Sequence, residues 1–310
     1  MATDTKYFVR RHCPFCHGDA STAVPSMSST PAAEDLELRD NEVLYRGYTT
    51  VRSFFTYFRC PTCRGLFCRT YFTEDQLKQL YAHQEANMAA VPEISRDRTQ
   101  QEYFRILKKH SDLTGHLLEL GPDVGFFTRC CANQGQFGKF WLYEPNVNVH
   151  DALRQNLGQH QFFLTDQPYA AADMPMGSLS TAVLIHVLDH ILTLESLLDE
   201  LHSSLKPGGI LFIVTHDEAS LLARMLGRRW PPYATAHPQL FSAVSIKELL
   251  RRHGFEVLEV VKCANYFPFW YLAKSLLTVM GLASSSQTAY NGPNVRLKLG
   301  NIATVARRME

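Results

Sequence analysis

The chain of 310 residues carries no excess of one charge, no internal repeat, no long low-complexity tract and no apolar run of membrane-spanning length. Thirty-one Lys and Arg against thirty Asp and Glu leave a formal charge of +1, with thirteen His counted as neutral. That balance excludes the general phosphate attraction of a typical nucleic-acid binder and leaves only a modest basic cluster, Arg10-Arg11 with Arg59, Arg64 and Arg69. Met1–Arg11 has no apolar h-region, so no secretory signal is expected and a cytoplasmic location follows. Eight Cys in a chain of this length, four of them in two Cys-x-x-Cys pairs, read as reduced thiols with a metal site rather than a disulfide framework. What is present is 45% hydrophobic residues, enough to bury a sizeable core and to exclude disorder throughout. The length suggests two domains, or one large domain with an appendage.

Punctuation divides the chain into residues 1–72, 73–112 and 113–310. The first part holds the paired Cys motifs, with a polar Ser/Pro/Ala stretch from Ser21 to Ala33 that reads as a loop or a weakly ordered insertion. The second reads as a helical linker or lid. It starts near Thr73-Glu-Asp with Leu77, Leu80 and Tyr81 on one face, and Tyr103, Phe104 and Leu107 continue the pattern after Pro92. In the third part short apolar runs alternate with helical segments. Candidate strands are His116–Leu120, Gly138–Tyr143, Gln161–Leu164, Thr181–Ile185, Gly209–Val214, Phe255–Val261 and Asn301–Ala306. Candidate helices are Phe126–Gln134, Val149–Leu157, Ser196–Leu205 and Ser245–His253. This alternation argues for one α/β domain, a mostly parallel sheet with helices on both faces.

His12-Cys13-Pro14-Phe15-Cys16-His17-Gly18 and Arg59-Cys60-Pro61-Thr62-Cys63-Arg64-Gly65 share the form Cys-Pro-x-Cys-x-Gly. Two thiolates three positions apart on a tight turn reach one tetrahedral Zn²⁺, and two such knuckles complete a closed Cys₄ site of zinc-ribbon type with Cys13, Cys16, Cys60 and Cys63 as ligands. Four protein ligands leave no open position, so this metal holds fold rather than doing chemistry. The 43 residues between the knuckles exceed the usual ribbon spacing, so an extra hairpin is expected from Val43–Tyr48 and Ser53–Phe58. Cys68, Cys130, Cys131 and Cys263 read as buried small hydrophobes.

Leu117-Leu118-Glu119-Leu120-Gly121-Pro122-Asp123-Val124-Gly125-Phe126-Phe127 runs from a strand through a Gly-bearing turn into a helix. Its glycines allow a ligand close to the backbone, and the helix start offers free N–H groups. About twenty-five residues on, Trp141-Leu-Tyr-Glu144-Pro145 ends a strand with a carboxylate, the usual acceptor for two ribose hydroxyls. Together they point to a nucleoside-containing cofactor.

On these residues the sequence resembles class I S-adenosylmethionine-dependent methyltransferases over roughly residues 100–310. Further support comes from Ala182-Val-Leu-Ile-His186-Val-Leu-Asp189-His190 and from Leu205-Lys-Pro-Gly208-Gly209 before an apolar strand. The upstream half resembles a subgroup in which a Cys₄ region precedes the methyltransferase domain, with members that methylate small metabolites and sugars in secondary-metabolite or glycan pathways. The resemblance implies a Rossmann-like seven-stranded sheet with a small N-terminal zinc-ribbon domain. It also implies a cofactor pocket shaped by Glu119, Gly121, Pro122, Asp123, Gly125 and Phe126. Glu144, beside Pro145, would hold the ribose, Asp166 and Gln167 would reach the adenine, and Ile185 and His186 would lie beneath the methyl group. Asp123 departs from the family, which usually has glycine there; its side chain would either crowd the methionine moiety or pair with its ammonium.

Methyl transfer needs alignment, exclusion of water and, for a hydroxyl acceptor, removal of a proton. His190 is the first candidate base, with His186 and His216 beside it and Asp217 and His237 next. His186 and His190, four apart, would share a face if a helical turn starts there. Asp189 and His190 supply two metal-ligating side chains, short of the three a divalent cation requires. The apolar segment Tyr266–Gly281 reads as a core or dimer-interface helix, which makes a homodimer a possible assembly, or as a lid or interfacial contact for a hydrophobic or lipid-linked acceptor. The sequence therefore reads as a methyltransferase for a small-molecule or sugar acceptor, acting at oxygen. The alternatives are a zinc-ribbon-guided RNA methyltransferase and a member of the fold with a non-methylating reaction.

Overall fold

The computed structural model describes residues 8–45, 53–81, 91–279 and 292–310. The first seven residues, Arg46–Tyr48 of the expected hairpin, residues 82–90 of the helical segment and the last two residues of the apolar segment lie outside the described residues.

The Cys-rich part begins with β1 (Val9–Arg10), β2 (Val24–Met27), α1 (Leu38–Tyr45), β3 (Tyr57–Arg59), β4 (Leu66–Cys68) and β5 (Thr70–Tyr71), followed by α2 (Glu74–Tyr81). Two expectations for the connection between the knuckles are corrected here. Val43–Tyr45 belong to a helix, not a strand: Asn41 and Tyr45 fall one turn apart on the inward face, and Asn41 Nδ2 donates to the Ala33 carbonyl at 3.0 Å. The polar stretch after Ser21 is ordered and supplies β2, which pairs antiparallel with β3. Of Ser53–Phe58 only the end enters a strand, while Phe54 and Phe55 are buried in an aromatic cluster with Tyr57, Tyr71 and Phe72. Cys68 is buried beside them.

The remainder continues with α3 (Glu93–Leu107), β6 (Thr114–Leu120), α4 (Phe126–Gln134), β7 (Gln136–Tyr143), α5 (His150–Leu157), β8 (Phe162–Thr165), β9 (Leu179–Ile185), α6 (Leu194–Ser204), β10 (Leu205–His216), α7 (Leu221–Leu226), β11 (Gln239–Leu240), α8 (Ala243–Arg252), β12 (Phe255–Pro268), α9 (Phe269–Val279) and β13 (Asn294–Arg308). Seven strands form one sheet in the order β12-β13-β10-β9-β6-β7-β8. Strands β8, β7, β6, β9 and β10 run parallel, and β13 lies antiparallel between β10 and β12. All seven residues of β9 are buried, as expected of a central parallel strand covered on both faces.

Helices clothe each face. In α6, Leu194, Leu197, Leu198 and Leu201 repeat at helical spacing and are buried, each contributing about 2 kcal/mol of apolar burial. Helix α8 begins in a reciprocal cap between Ser242 and Ser245 and buries Ile246, Leu249 and Leu250 on the same face. On the opposite face Tyr103, Phe104 and Leu107 of α3 pack with Phe127, Cys130 and Cys131 of α4. The Cys-rich part meets the first of these faces: Phe15 lies edge-on to Phe241, with ring centroids 5.3 Å apart. Strand β11, from the second half of the chain, pairs with β4. The apolar segment around Tyr266 is a strand up to Pro268 and then α9, which leaves Phe269, Trp270, Leu276 and Leu277 exposed. Among the described residues no helix is long and apolar enough to cross a membrane.

Candidate functional site

The turn between β6 and α4 is built from backbone that most side chains resist. Gly121 and Gly125 both have positive φ, at 63° and 85°. A Cβ on Gly121 would stand 2.8 Å from Val187 Cγ2, and one on Gly125 2.4 Å from Leu153 Cδ1. Asp123 between them is also left-handed, at φ 52°, so the residue that departs from the family pattern occupies backbone that favours glycine. Its N–H donates to Glu144 Oε2 at 2.8 Å, tying the turn to the end of β7. Glu144 is buried, and its other oxygen accepts from Asn146 N–H at 2.8 Å; burial raises its carboxyl above the usual range. Burial, then Glu144, pushes Asp123 up to about 6, opposed by Arg96, whose Nη1 is 4.0 Å from Asp123 Oδ2.

Glu119 lies deeper, almost fully buried, with Thr128 Oγ1 donating to it at 2.5 Å. Its burial pushes it up to about 8. Pro122 and Phe126 are buried in the same turn, and the Arg96 and Arg129 guanidinium groups stand 5.3 and 5.0 Å from the centre of the Phe126 ring. Pro145, Asp166 and Gln167 are exposed at the ends of β7 and β8, with Gln167 Nε2 donating to Asp166 Oδ1 at 2.9 Å. The predicted cofactor residues thus line one edge of the sheet, at the carboxyl ends of its parallel strands, where ligands of such folds collect.

Beyond β9 and β10, four histidines gather. His186 follows β9, again with positive φ (53°), and its N–H donates to the Val214 carbonyl at 2.8 Å. The His186 and His216 rings lie 4.6 Å apart, His216 and His237 5.1 Å, and His190 and His237 4.7 Å. Ile185 closes β9 beneath them and is buried. The turn after His186 is a short 3-10 segment, Leu188–His190, and the rings of His186 and His190 take different partners rather than stacking on one face. His190 Nδ1 bonds the Ala236 carbonyl at 2.9 Å, and His237 Nδ1 bonds the Pro232 carbonyl at 2.8 Å. Burial drives the imidazoles down, to about 4 for His186 and about 3 for His190, and well below the ordinary value for His216. Asp217 sits apart in the turn before α7, with Oδ1 accepting from Ala219 N–H at 3.1 Å.

The two knuckles fold alike. Cys13 N–H donates to Gly18 O and His17 N–H to Cys13 O, and the second knuckle repeats the pattern with Cys60 to Gly65 and Arg64 to Cys60. His17 and Arg64 occupy matching positive-φ positions. The sulfurs of Cys13 and Cys63 are 3.5 Å apart and those of Cys16 and Cys60 3.6 Å, with all four within 4.8 Å of one another. A tetrahedral ion about 2.3 Å from each sulfur separates them by about 3.8 Å, whereas a disulfide requires about 2.05 Å. The geometry therefore fits four ligands around one ion and not a pair of disulfides. The Cys13 thiol, hydrogen-bonded to Cys63 and buried, is pushed up while Cys63 is pulled down to about 5.

Arg96, Tyr103 and Asn301 are not among the site residues expected from the sequence, where Tyr103 reads as part of an apolar helix face. Arg96 reads there only as a helix residue, and Asn301 as the start of a terminal strand. Asn301 is the hub of the histidine cluster: its Nδ2 lies 3.1 Å from Asn265 Oδ1, 3.3 Å from Tyr103 Oη and 3.3 Å from His186 Nε2, and its Oδ1 lies 3.1 Å from His216 Nδ1. These partners are far apart in the chain, and no local spacing announces them.

Among solved structures the chain is similar to a candidate S-adenosylmethionine-dependent methyltransferase of Listeria monocytogenes, at 12% identity over 68% of this chain and 99% of that one, with a TM-score of 0.48. A candidate methyltransferase of Bacillus halodurans is 14% identical over 68% and 100%, with a TM-score of 0.49. The N-methyltransferase NodS of Bradyrhizobium japonicum, solved with S-adenosyl-L-homocysteine, is 15% identical over 76% and 98%, with a TM-score of 0.46. No curated protein matches. The family described as a methyltransferase domain matches residues 94–260, from α3 into β12. With more than half of its residues inside that match, the chain belongs to the methyltransferase-domain family.

Proposed function

We propose that the protein transfers a methyl group from S-adenosylmethionine to an oxygen of a small-molecule or sugar acceptor, in the biosynthesis of a secondary metabolite or glycan. The observation that carries this reading is the buried Glu144 carboxylate, held by two backbone N–H groups at the end of β7 and facing the Gly121–Gly125 turn. Gly121, Pro122, Asp123, Gly125 and Phe126 would hold the methionine portion, with Glu119 beneath them. Glu144 and Pro145 would take the ribose, Asp166 and Gln167 the adenine, and Ile185 and His186 the side of the methyl group. The cofactor, when bound, supplies an activated methyl on a sulfonium whose leaving group is a neutral thioether. The chain's own task is to align acceptor and donor and to receive the acceptor's proton. His190 suits the last role: with Nδ1–H given to the Ala236 carbonyl, Nε2 is left to accept. His186 and His216 would orient the acceptor beside it.

Residues 1–72 would form the zinc-ribbon-like part, with Zn²⁺ on Cys13, Cys16, Cys60 and Cys63, and 73–112 a helical cover for the 113–310 catalytic part. A route through RNA is not favoured, because the basic cluster is largely committed. Arg11 bonds the Pro238 and Leu192 carbonyls and Gln239, Arg59 pairs with Glu218 at 2.6 Å, and Arg69 stacks 4.2 Å from the Phe58 ring centre.

Calorimetric titration of the zinc-loaded chain with S-adenosylhomocysteine tests the cofactor reading. Glu144→Ala is expected to weaken that binding by roughly tenfold to a hundredfold. His190→Ala is expected to leave the binding near its original value while cutting turnover far more. No heat from the folded wild-type chain would refute the reading, and unchanged turnover in His190→Ala would remove the base.

A further inference from the structure

We propose that the chain also binds a divalent first-row transition cation at the carboxyl ends of β9 and β10, on His186, Asp189 and His216. The ligating atoms of these three side chains lie within 4.8 Å of one another. Each is held from behind. The His186 backbone is fixed by its N–H bond to the Val214 carbonyl, and Asp189, with no exposed surface, accepts from the His216 backbone N–H through Oδ2 at 3.3 Å. The two imidazole rings are tilted by only 31° to each other.

One acceptor in this cluster has no partner among the described residues, Asp189 Oδ1. The His186 ring, whose Nε2 faces Asn301 Nδ2 at 3.3 Å, keeps its lone pair on Nε2, so ligation by His186 gives up that contact to the ion. A fully buried carboxylate oxygen without a donor is costly unless a positive charge meets it. Asn301 supplies the remaining element. Its Nδ2 donates to Asn265 Oδ1, so its Oδ1 is the accepting side and takes the His216 Nδ1–H, leaving the lone pair of His216 on Nε2. An imidazole oriented by a carbonyl on its far nitrogen is the usual arrangement around a bound metal. Two imidazoles and one carboxylate suit zinc or ferrous iron, whereas magnesium and calcium prefer oxygen throughout. Closing on an ion at about 2.0–2.2 Å requires the three groups to draw in by roughly an ångström.

His190 and His237 stand outside the set, since each spends its Nδ1 on a backbone carbonyl. Three protein ligands leave coordination positions open. On the methyl-transfer reading above, on which this part rests, those positions take oxygen atoms of the acceptor and make its hydroxyl more acidic.

The test adds Co²⁺ to the full chain with its Cys cluster already loaded with zinc. The expected result is uptake of one further ion per chain, with visible d–d absorption and no sulfur-to-cobalt charge transfer. His216→Ala and Asp189→Asn should each weaken that uptake at least tenfold while their thermal melting shows a folded chain; if either fails to fold, His186→Gln takes its place. A folded, zinc-loaded wild-type chain that takes up no cobalt overturns the site, as does a folded variant that binds it as tightly as wild type. S-Adenosylhomocysteine titrated into the same samples separates the two proposals. Cobalt uptake without its heat upholds the cation site and refutes methyl transfer, and heat without cobalt uptake refutes the cation site alone.

Discussion

At the scale of single residues, Glu119 is 2% exposed, and its pKa of about 8 in the folded chain compares with an ordinary value of 4.5. The folded form therefore holds a proton that the unfolded form has released between those values. The resulting stability is fully present below about pH 4.5 and is lost as the pH rises through about 8. Glutamine imitates the protonated acid, so Glu119→Gln is expected to flatten this loss. Melting curves from about pH 5 to about pH 9 check it, and equal slopes for the two chains would refute it. The residues of the proposed cofactor turn are legible because strand, glycines and terminal acid lie within one short stretch. Arg96 was not, because only the packing of α3 against α4 brings it toward Asp123.

At the scale of elements, the β6–α4 turn depends on Gly125 more than its neighbours show. Alanine there meets both the left-handed backbone and Leu153, and Gly125→Ala is expected to cost about 2–3 kcal/mol in chemical denaturation. A loss within measurement error would mean that the turn relaxes freely. All seven candidate strands and all four candidate helices of the α/β part appear in the structure, most with edges moved by no more than four residues, while β12 runs seven residues further and β13 begins seven residues earlier than expected. Their apolar runs and helical spacings are long enough to outweigh local ambiguity. The connection between the Cys knuckles was misjudged for the opposite reason. Short segments such as Leu38–Tyr45 carry too few apolar positions to separate a helix from a strand, and the Asn41 bond to Ala33 decides the matter.

At the scale of the whole molecule, the Cys cluster is more than a peripheral staple. Cys13, Phe15, Cys60 and Cys63 share one hydrophobic cluster with Leu198, Leu201, Ile246 and Phe241 on the sheet's α6 and α8 face. Removal of the proposed zinc by a chelator is expected to lower the melting temperature by roughly 5–10 °C and to loosen that face as well as the knuckles. Amide exchange that stays unchanged along α6 and α8 would show the two parts to be independent. Periodicity, the duplicated Cys-Pro-x-Cys-x-Gly form and the strand-turn-acid pattern are local properties, and so the sequence by itself determined the alternating α/β order, the pairing of the four clustered Cys and the glycine turn that faces Glu144. Assembly of His186, Asp189, His216, His237 and Asn301 into one polar cluster was decided only by the tertiary structure. It depends on β13 inserting antiparallel beside β10 and on the strand order that sets β9 against it, pairings between residues up to more than a hundred positions apart that no local spacing encodes.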